Sequence, residues 1–238
     1  MKTITLSLSI LAFMASCTAE ENGVEHQPAF RKLYSKTIQY PSNPSNPYDS
    51  TGAVYLDLLH LYYEKKTNAE NLNTLLPAVE STAFDYPGFI PFYSDYTSPD
   101  LLTISSIIND PQRTMENLVA NSGLSLKAQL SWYNFTDAVI SYIEEDLDYS
   151  TLHQYITTHE TEWGLDFTYT ATDKQLLLVS SSIIRHSIFA KSKKPKKNTD
   201  PEWDLMIGNF TAAMEGAKYS KGTAIIYALV TGIAQNDF

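Results

Sequence analysis

The clearest candidate for chemistry is a short polar run within an otherwise apolar segment, residues 173–190. Ser182 and His186 are four residues apart, and Ser181 and Arg185 precede them by one position each. Residues four apart share one face of a helix, so this spacing gathers hydroxyl, guanidinium and imidazole groups on one side. Arg185 and His186 are predicted either to face a ligand pocket or to hydrogen-bond between helices, since buried polar groups need partners. The serine and histidine do not indicate a nucleophile, because no orienting acid or oxyanion hole accompanies them.

Aromatic residues are concentrated in segment 84–97, where Pro87-Gly88 and Pro91 interrupt any helix. Rings on an irregular loop can stack on sugars or hold a peptide. The same rings can instead turn inward and fill the core between helices. On the first interpretation, the candidate ligand contacts are Phe89, Phe92, Tyr93 and Tyr96.

Other polar groups do not form a recognisable catalytic or metal-binding motif. His153 and His159 are six residues apart, which places them on different faces of a helix, unlike the four-residue spacing of zinc helices. The acidic run 144–148 lacks the alternation and the central glycine of a calcium loop. A glycine-rich phosphate loop, a CxxC pair and a nucleophile elbow are also absent from the sequence. We therefore predict no metal, no cofactor and no catalytic residue, which weakens the case for an enzyme.

The elements that position these groups are predicted to be helices. Ser98-Pro99, Asp110-Pro111 and Asp200-Pro201 each place a capping side chain before a proline at the first helical position. Thr172 and Gln175 match a capping box. Alternation with a period of two is scarce, so we predict an all-α, single multi-helix domain around a central apolar helix. The predicted helices cover residues 49–66, 70–81, 99–108, 111–121, 125–146, 150–163, 173–190, 201–217 and 220–235.

Two of these helices carry further information about packing. Helix 173–190 is apolar nearly all round, which is typical of a central, buried helix. Small residues recur every four positions from Gly208 to Gly232, which predicts close packing of helices 201–217 and 220–235. Insertion of this hairpin into a membrane is the alternative, and each apolar half is shorter than a bilayer span.

Cys17, the only cysteine, lies where a bacterial lipoprotein carries its lipid. Residues 1–16 have the positive start, short apolar core and small residues of a signal peptide. Met14-Ala15-Ser16-Cys17 matches a lipobox, so we predict that Cys17 is acylated with chains such as palmitate and anchors the protein to the membrane. Residues 17–47 are polar and proline-rich and are predicted to form a tether, leaving 48–238 as the helical domain.

Residues after Cys17 and the overall charge predict where the protein works. Thr18 is not the aspartate that favours retention in the inner membrane, and Glu20-Glu21 resembles a surface-export signal, so we expect the outer membrane, at its surface or its periplasmic face. The formal charge of −10 becomes −11 when residues 1–16 and their single lysine are removed. A chain this acidic is not suited to nucleic acid. The lysine run 191–197 is predicted to be a solvated loop or a contact to acidic headgroups or polysaccharide.

Asn46-Pro47-Tyr48-Asp49, followed by Gly52, resembles the opening motif of a family of uncharacterised proteins from the Bacteroidota, many of them lipoproteins. Residues 173–187 resemble that family's central helix, and the Gly/Ala-rich C-terminus resembles its closing region. The family pattern has His-Asn where this chain has Tyr55-Leu56, and an acidic residue where it has Asn209. The resemblance implies a shared fold and location, and it attaches no function to these residues.

Taken together, these patterns predict a lipid-anchored envelope protein with a non-catalytic binding role. The expected partners are the membrane, through acylated Cys17, and a surface glycan or protein. The alternatives are an envelope hydrolase with unrecognised chemistry and a toxin- or immunity-like factor that acts through the C-terminal small-residue hairpin.

Overall fold

The computed structural model describes residues 41–66, 69–192 and 202–237, with side chains from 207 to 236 in the last range. The described chain forms helices and no strand, which confirms the all-α prediction. Cys17, the predicted signal peptide and Lys193 to Lys197 lie outside the described residues. A 3-10 helix, Pro87–Phe92, lies between the second and third of the α-helices: α1 Asp49–Glu64, α2 Leu72–Phe84, α3 Leu101–Asn109, α4 Pro111–Ala120, α5 Leu126–Glu144, α6 Tyr149–Leu165, α7 Ala171–Ser192, α8 Glu202–Ala217 and α9 Lys221–Asp237.

The cap predicted at Asp110 is confirmed, whereas the cap predicted at Ser98 is wrong, because Asp100 takes that role two residues later. The Asp100 carboxylate accepts hydrogen bonds from the first turn of α3, and Asp110 does the same for α4 ahead of Pro111. The box at α7 is two residues earlier than predicted. Asp173 accepts the Thr170 N–H at 2.9 Å, and the Thr170 hydroxyl accepts the Asp173 N–H at 3.0 Å. The predicted capping box of Thr172 and Gln175 was wrong, because the reciprocal hydrogen bonds are formed by Thr170 and the carboxylate of Asp173.

Helix α7 is the centre of the domain. Its residues from Leu176 to Phe189 form one unbroken buried run, which confirms the prediction from its all-round apolar sequence. Helices α1, α6 and α8 pack closely against it. Each polar group within the run must therefore find its partners inside the protein.

Helices α8 and α9 approach each other closely through their small residues, as predicted. A Cβ atom built on Gly216 would lie 2.4 Å from the Ala224 Cα atom, a distance that no real Cβ contact shows. Gly208 lies against the Gln235 side chain, and Gly232 lies against that of Asn209. The small residues therefore serve packing between two helices. None of the helices in the described ranges has the length and apolar character needed to cross a bilayer.

Residues 41–47, here called the N-terminal strap, belong to the folded unit. Asn43 and Asn46 are buried, and the Asn46 side-chain amide donates to the Leu178 carbonyl of α7 at 3.0 Å. The predicted boundary between tether and domain at 47/48 is therefore too late along the chain. The proline-rich composition of the strap suggested a linker. Its asparagine side chains, however, provide the hydrogen-bond donors that buried acceptors require.

The approach of α8 to α9 predicts opposite effects for two glycine substitutions. Gly216→Ala should destabilise the domain by about 1–3 kcal/mol, because the new methyl group meets backbone atoms of α9 that cannot move independently. Gly164→Ala is the matched control: its Cβ position has no neighbour within 4 Å, so the change should stabilise α6 by up to about 1 kcal/mol. Urea denaturation of both variants measures the difference. Equal midpoints would contradict the close approach.

Candidate functional site

Arg185 lies at the centre of a buried polar cluster. Its Nη2 atom donates to Asp49 Oδ1 at 2.6 Å, and its Nε atom lies 3.3 Å from the Glu160 carboxylate. The side chains of Arg185 and Glu160 are fully buried, and that of Asp49 is 22 % exposed. One guanidinium is thus paired with two carboxylates, which offsets the cost of removing its charge from water.

The strap completes this cluster. The Asn43 backbone N–H donates to Asp49 Oδ1 at 3.0 Å, and its side-chain amide donates to Glu160 Oε2 at 2.6 Å. The Ser181 hydroxyl donates to Glu160 Oε1 at 2.9 Å. The cluster therefore joins the strap, α1, α6 and α7 through hydrogen bonds within the protein.

Glu160 belongs to this cluster, and the sequence analysis did not identify it as a buried polar residue. The spacing of the residues in α6 could have identified it, because Glu160 occurs at helical intervals from the apolar residues of the buried face. The buried residues of α6 are Leu152, Ile156, Glu160 and Trp163. A glutamate at a core position of an amphipathic helix needs a buried cation or donors, and Arg185 with Asn43 meets that need.

Ser182 and His186 hold α1 against α7. The Ser182 hydroxyl accepts the Gly52 N–H at 3.0 Å and donates to the Asp49 carbonyl at 3.2 Å. The His186 Nδ1 atom lies 2.9 Å from the Ser182 carbonyl. A Cβ atom on Gly52 would lie 2.2 Å from His186 Nδ1, so only glycine allows this approach.

These contacts decide between the two interpretations of Arg185 and His186. Neither side chain has any exposed surface, and both face neighbouring helices. Burial, together with the charge of Arg185, lowers the pKa of His186 well below its ordinary value, so the imidazole is neutral at neutral pH. The buried contacts of Arg185 with α1 and α6, and the packing of His186 against Gly52 of α1, favour a role in helix packing over a ligand pocket for these two residues.

The two positions at which the chain departs from the resembled family pattern are neighbours. Tyr55 on α1 is buried, and its hydroxyl hydrogen-bonds the Asn209 side chain on α8. Burial raises the pKa of Tyr55 well above its ordinary value, so it remains a neutral phenol. The pair is a neutral hydrogen bond between helices, and nothing in the sequence indicates that these two residues meet.

Phe84, Tyr93 and Tyr96 line a shallow, open hollow of about 470 Å³, here called the aromatic depression. The centroid of the Phe84 ring lies 5.6 Å from that of Tyr93 and 5.5 Å from that of Tyr96, with both pairs nearly perpendicular. Phe84 is 47 % exposed and Tyr93 is 39 % exposed. Two large rings are therefore exposed at one place, and the partly buried ring of Tyr96 lies beside them.

Of the four aromatic residues predicted to contact a ligand, two line the aromatic depression and two lie in the core beneath it. Phe89 and Phe92 are buried, because three residues per turn in the 3-10 helix place them on one side, towards the core. The Phe89 ring lies behind the depression, 5.6 Å from the Tyr93 ring and 5.9 Å from the Tyr96 ring. The prediction that Phe89 and Phe92 contact ligand is therefore wrong, whereas Tyr93 and Tyr96 are available to do so.

Hydrogen bonds hold the lining residues in place. The Tyr93 hydroxyl donates to the Phe84 carbonyl, and the Tyr96 hydroxyl donates to the Glu80 carboxylate. The Thr223 hydroxyl of α9 accepts the Thr97 N–H at 3.0 Å and donates to the Thr97 carbonyl at 2.9 Å. The segment is thus fastened to α2 and α9, so the depression is formed before any ligand arrives.

A second exposed apolar surface, missed in the sequence, lies where α5 begins and α6 ends. Leu126, Leu130 and Leu165 are each more than half exposed, and Phe167 is almost wholly exposed. Lys127 pairs with Asp166 beside them and connects the two helices. This surface joins exposed apolar side chains to one ion pair.

The histidines of α6 are structural in their contacts. His159 packs against the rings of Tyr155 and Trp163, and His153 Nε2 lies 3.4 Å from the Ser42 carbonyl of the strap. Burial lowers the pKa of both His153 and His159. Across the described ranges, no three side chains among His, Cys, Asp and Glu are grouped so that they could hold a metal ion.

Comparison of the chain with protein-family models, with curated proteins and with solved structures gave no match. The functional argument therefore starts from the residues themselves. Two groups of them matter: the buried cluster around Arg185 and the aromatic depression.

Removing Arg185 should destabilise the domain strongly. Arg185→Met leaves the buried Glu160 carboxylate and the partly exposed Asp49 carboxylate without a cation, and we expect a loss of about 3–5 kcal/mol in the free energy of unfolding. Adding Glu160→Gln should recover part of that loss, as a double-mutant cycle would measure. The control is Lys65→Met, which breaks the exposed pair with Asp85 and should cost less than about 1 kcal/mol. Equal losses for Arg185→Met and Lys65→Met would refute the central role of this cluster.

Proposed function

We propose that this protein is a non-catalytic binding protein of the bacterial envelope that contacts its ligand through the aromatic depression. The observation that carries the proposal is the presentation of Phe84, Tyr93 and Tyr96 around an open hollow. Aromatic rings supply large contact areas at a low cost in side-chain entropy. The hydrogen bonds that fasten this segment to α2 and α9 reduce the ordering cost further.

The arrangement of the polar groups favours binding over catalysis. An active site requires polar side chains that converge on a cavity open to substrate. Arg185, Glu160 and His186 are instead fully buried; Arg185 and Glu160 hydrogen-bond other helices and the strap, and His186 Nδ1 lies 2.9 Å from the Ser182 carbonyl of its own helix. The small residues of α8 and α9 are likewise used in packing, which favours a structural role for that hairpin over a toxin-like one.

The second part of the proposal is a lipid anchor on Cys17 at the outer membrane. The lipobox pattern of residues 14–17 supports it, and the folded unit begins only at Pro41. The 23 residues from 18 to 40 could span at most about 80 Å when fully extended, enough to hold a domain away from a lipid surface.

Substitution of Cys17 tests the anchor. Wild-type protein should incorporate a palmitate analogue and fractionate with membranes, whereas Cys17→Ala should do neither, because it is the only thiol of the chain. Protease treatment of intact cells then distinguishes the surface from the periplasmic face. Equal labelling of wild type and Cys17→Ala would contradict acylation at this residue.

Substitutions in the depression test the binding role. A library of envelope sugars, peptides and small metabolites is screened against the 41–238 unit by thermal shift, since a ligand that binds only the folded state raises the melting temperature. Any stabilising compound should lose its effect with Phe84→Ala and Tyr93→Ala. It should keep its effect with Phe167→Ala, which removes an exposed ring outside the depression. A stabilising compound that is indifferent to Phe84 and Tyr93 would place the binding site elsewhere.

A further inference from the structure

We infer that the ligand of the aromatic depression carries an alkylated ammonium group on a small molecule. This inference rests on the proposed function and specifies its ligand class. The faces of aromatic rings carry negative electrostatic potential and attract cations that are poorly hydrated. Phe84, Tyr93 and Tyr96 bring three such rings around one open hollow, which is the basis of the assignment.

The charges near the depression favour a cation. Glu80 accepts hydrogen bonds from Tyr96 and Ser98, so its carboxylate is held beside the Tyr96 ring. Asp95 lies between Tyr93 and Tyr96 in the sequence, and no lysine or arginine occurs from residue 67 to residue 112. An anionic ligand would be repelled here, and a cationic one would be attracted.

Two lysines approach this region from other helices, and both are engaged elsewhere. Lys65 pairs with Asp85 at 3.2 Å, next to Phe84 in the chain. Lys221 lies 5.5 Å from the centroid of Phe92, a buried ring behind the depression. Neither lysine is placed to neutralise the carboxylate of Glu80.

The hydrogen bonds of the tyrosines distinguish an alkylated ammonium group from a sugar. A sugar ring that stacks on an aromatic face also needs donors and acceptors for its hydroxyl groups. The hydroxyl hydrogens of Tyr93 and Tyr96 are already donated to the Phe84 carbonyl and to Glu80. The tyrosines therefore have no hydroxyl hydrogen to offer a sugar, whereas a quaternary ammonium group needs no donor and is attracted by aromatic rings and by the charge of Glu80.

The size of the hollow favours a small molecule as the ligand that carries the alkylated ammonium group. Its volume of about 470 Å³ falls within the range of small-molecule sites. Its openness leaves space for the remainder of a ligand to extend into solvent. A free, choline-like molecule therefore fits the depression, with its ammonium group against the three rings.

The first test compares choline with 3,3-dimethyl-1-butanol, a neutral molecule of nearly the same shape. Binding to the full chain is measured by NMR titration, following the ring signals of tyrosine and phenylalanine. We expect saturable binding of choline, and binding of the neutral molecule that is weaker by about tenfold, the ratio that a cation–π contribution predicts. Equal binding of the two compounds, or no binding of choline, would overturn the inference.

Variants of the depression separate a cation–π contact from simple apolar contact. Phe84→Leu and Tyr93→Leu keep an apolar side chain and remove the ring, so each should weaken choline binding by several-fold and leave the neutral molecule nearly unaffected. Glu80→Gln should also weaken choline selectively, and Phe167→Ala should change nothing. Retention of choline binding by Phe84→Leu and Tyr93→Leu together would overturn the inference. Circular dichroism verifies that each variant is folded.

The outcomes also distinguish this inference from the proposed function. A sugar or peptide whose binding depends on Phe84 and Tyr93, with no response to choline, would uphold a binding role and refute the ammonium ligand. Retention on phosphatidylcholine vesicles without binding of free choline would assign the group to a lipid surface and refute the small-molecule source.

Discussion

The guanidinium of Arg185 has no contact with solvent, so its charge must be balanced inside the protein. Asp49 at the start of α1 and Glu160 on α6 provide the balancing charges, and Asn43 of the strap satisfies both carboxylates. Two distant parts of the chain, the strap with α1 and α6 with α7, must therefore come together around one side chain. A buried charge of this kind penalises any alternative packing of α7, because each alternative leaves a charge unpaired.

The same requirement explains why the group that looked most like an active site is closed. Ser182 and His186 are reactive residue types, yet their hydrogen bonds are formed with α1 and within α7. Gly52 allows α1 to approach His186, which fills the space that a substrate would need. Serine and histidine four residues apart on an apolar helix are here a means of joining two helices.

The aromatic segment shows how one run of rings can serve both the core and the surface. The 3-10 helix turns Phe89 and Phe92 inward, and Gly222 at the start of α9 allows the backbone of Phe92 to come close. The chain then leaves the core, and Tyr93 remains at the surface with Phe84 of α2. The buried rings support the exposed ones, so the depression is rigid because it is continuous with the core.

Local signals in the sequence determined the helices of this protein and the order in which they occur. The capping residue Asp110, the apolar sequence of α7 and the small residues of α8 and α9 act within a few positions of the chain, so the sequence alone was enough to predict them. Only the tertiary structure decided which polar and aromatic groups meet. Asn43 and Glu160 are 117 positions apart, and the inward turn of Phe89 depends on helices formed far along the chain. The physical reason is that a buried donor or ring is satisfied by whichever group packing brings to it, and packing is a property of the whole domain.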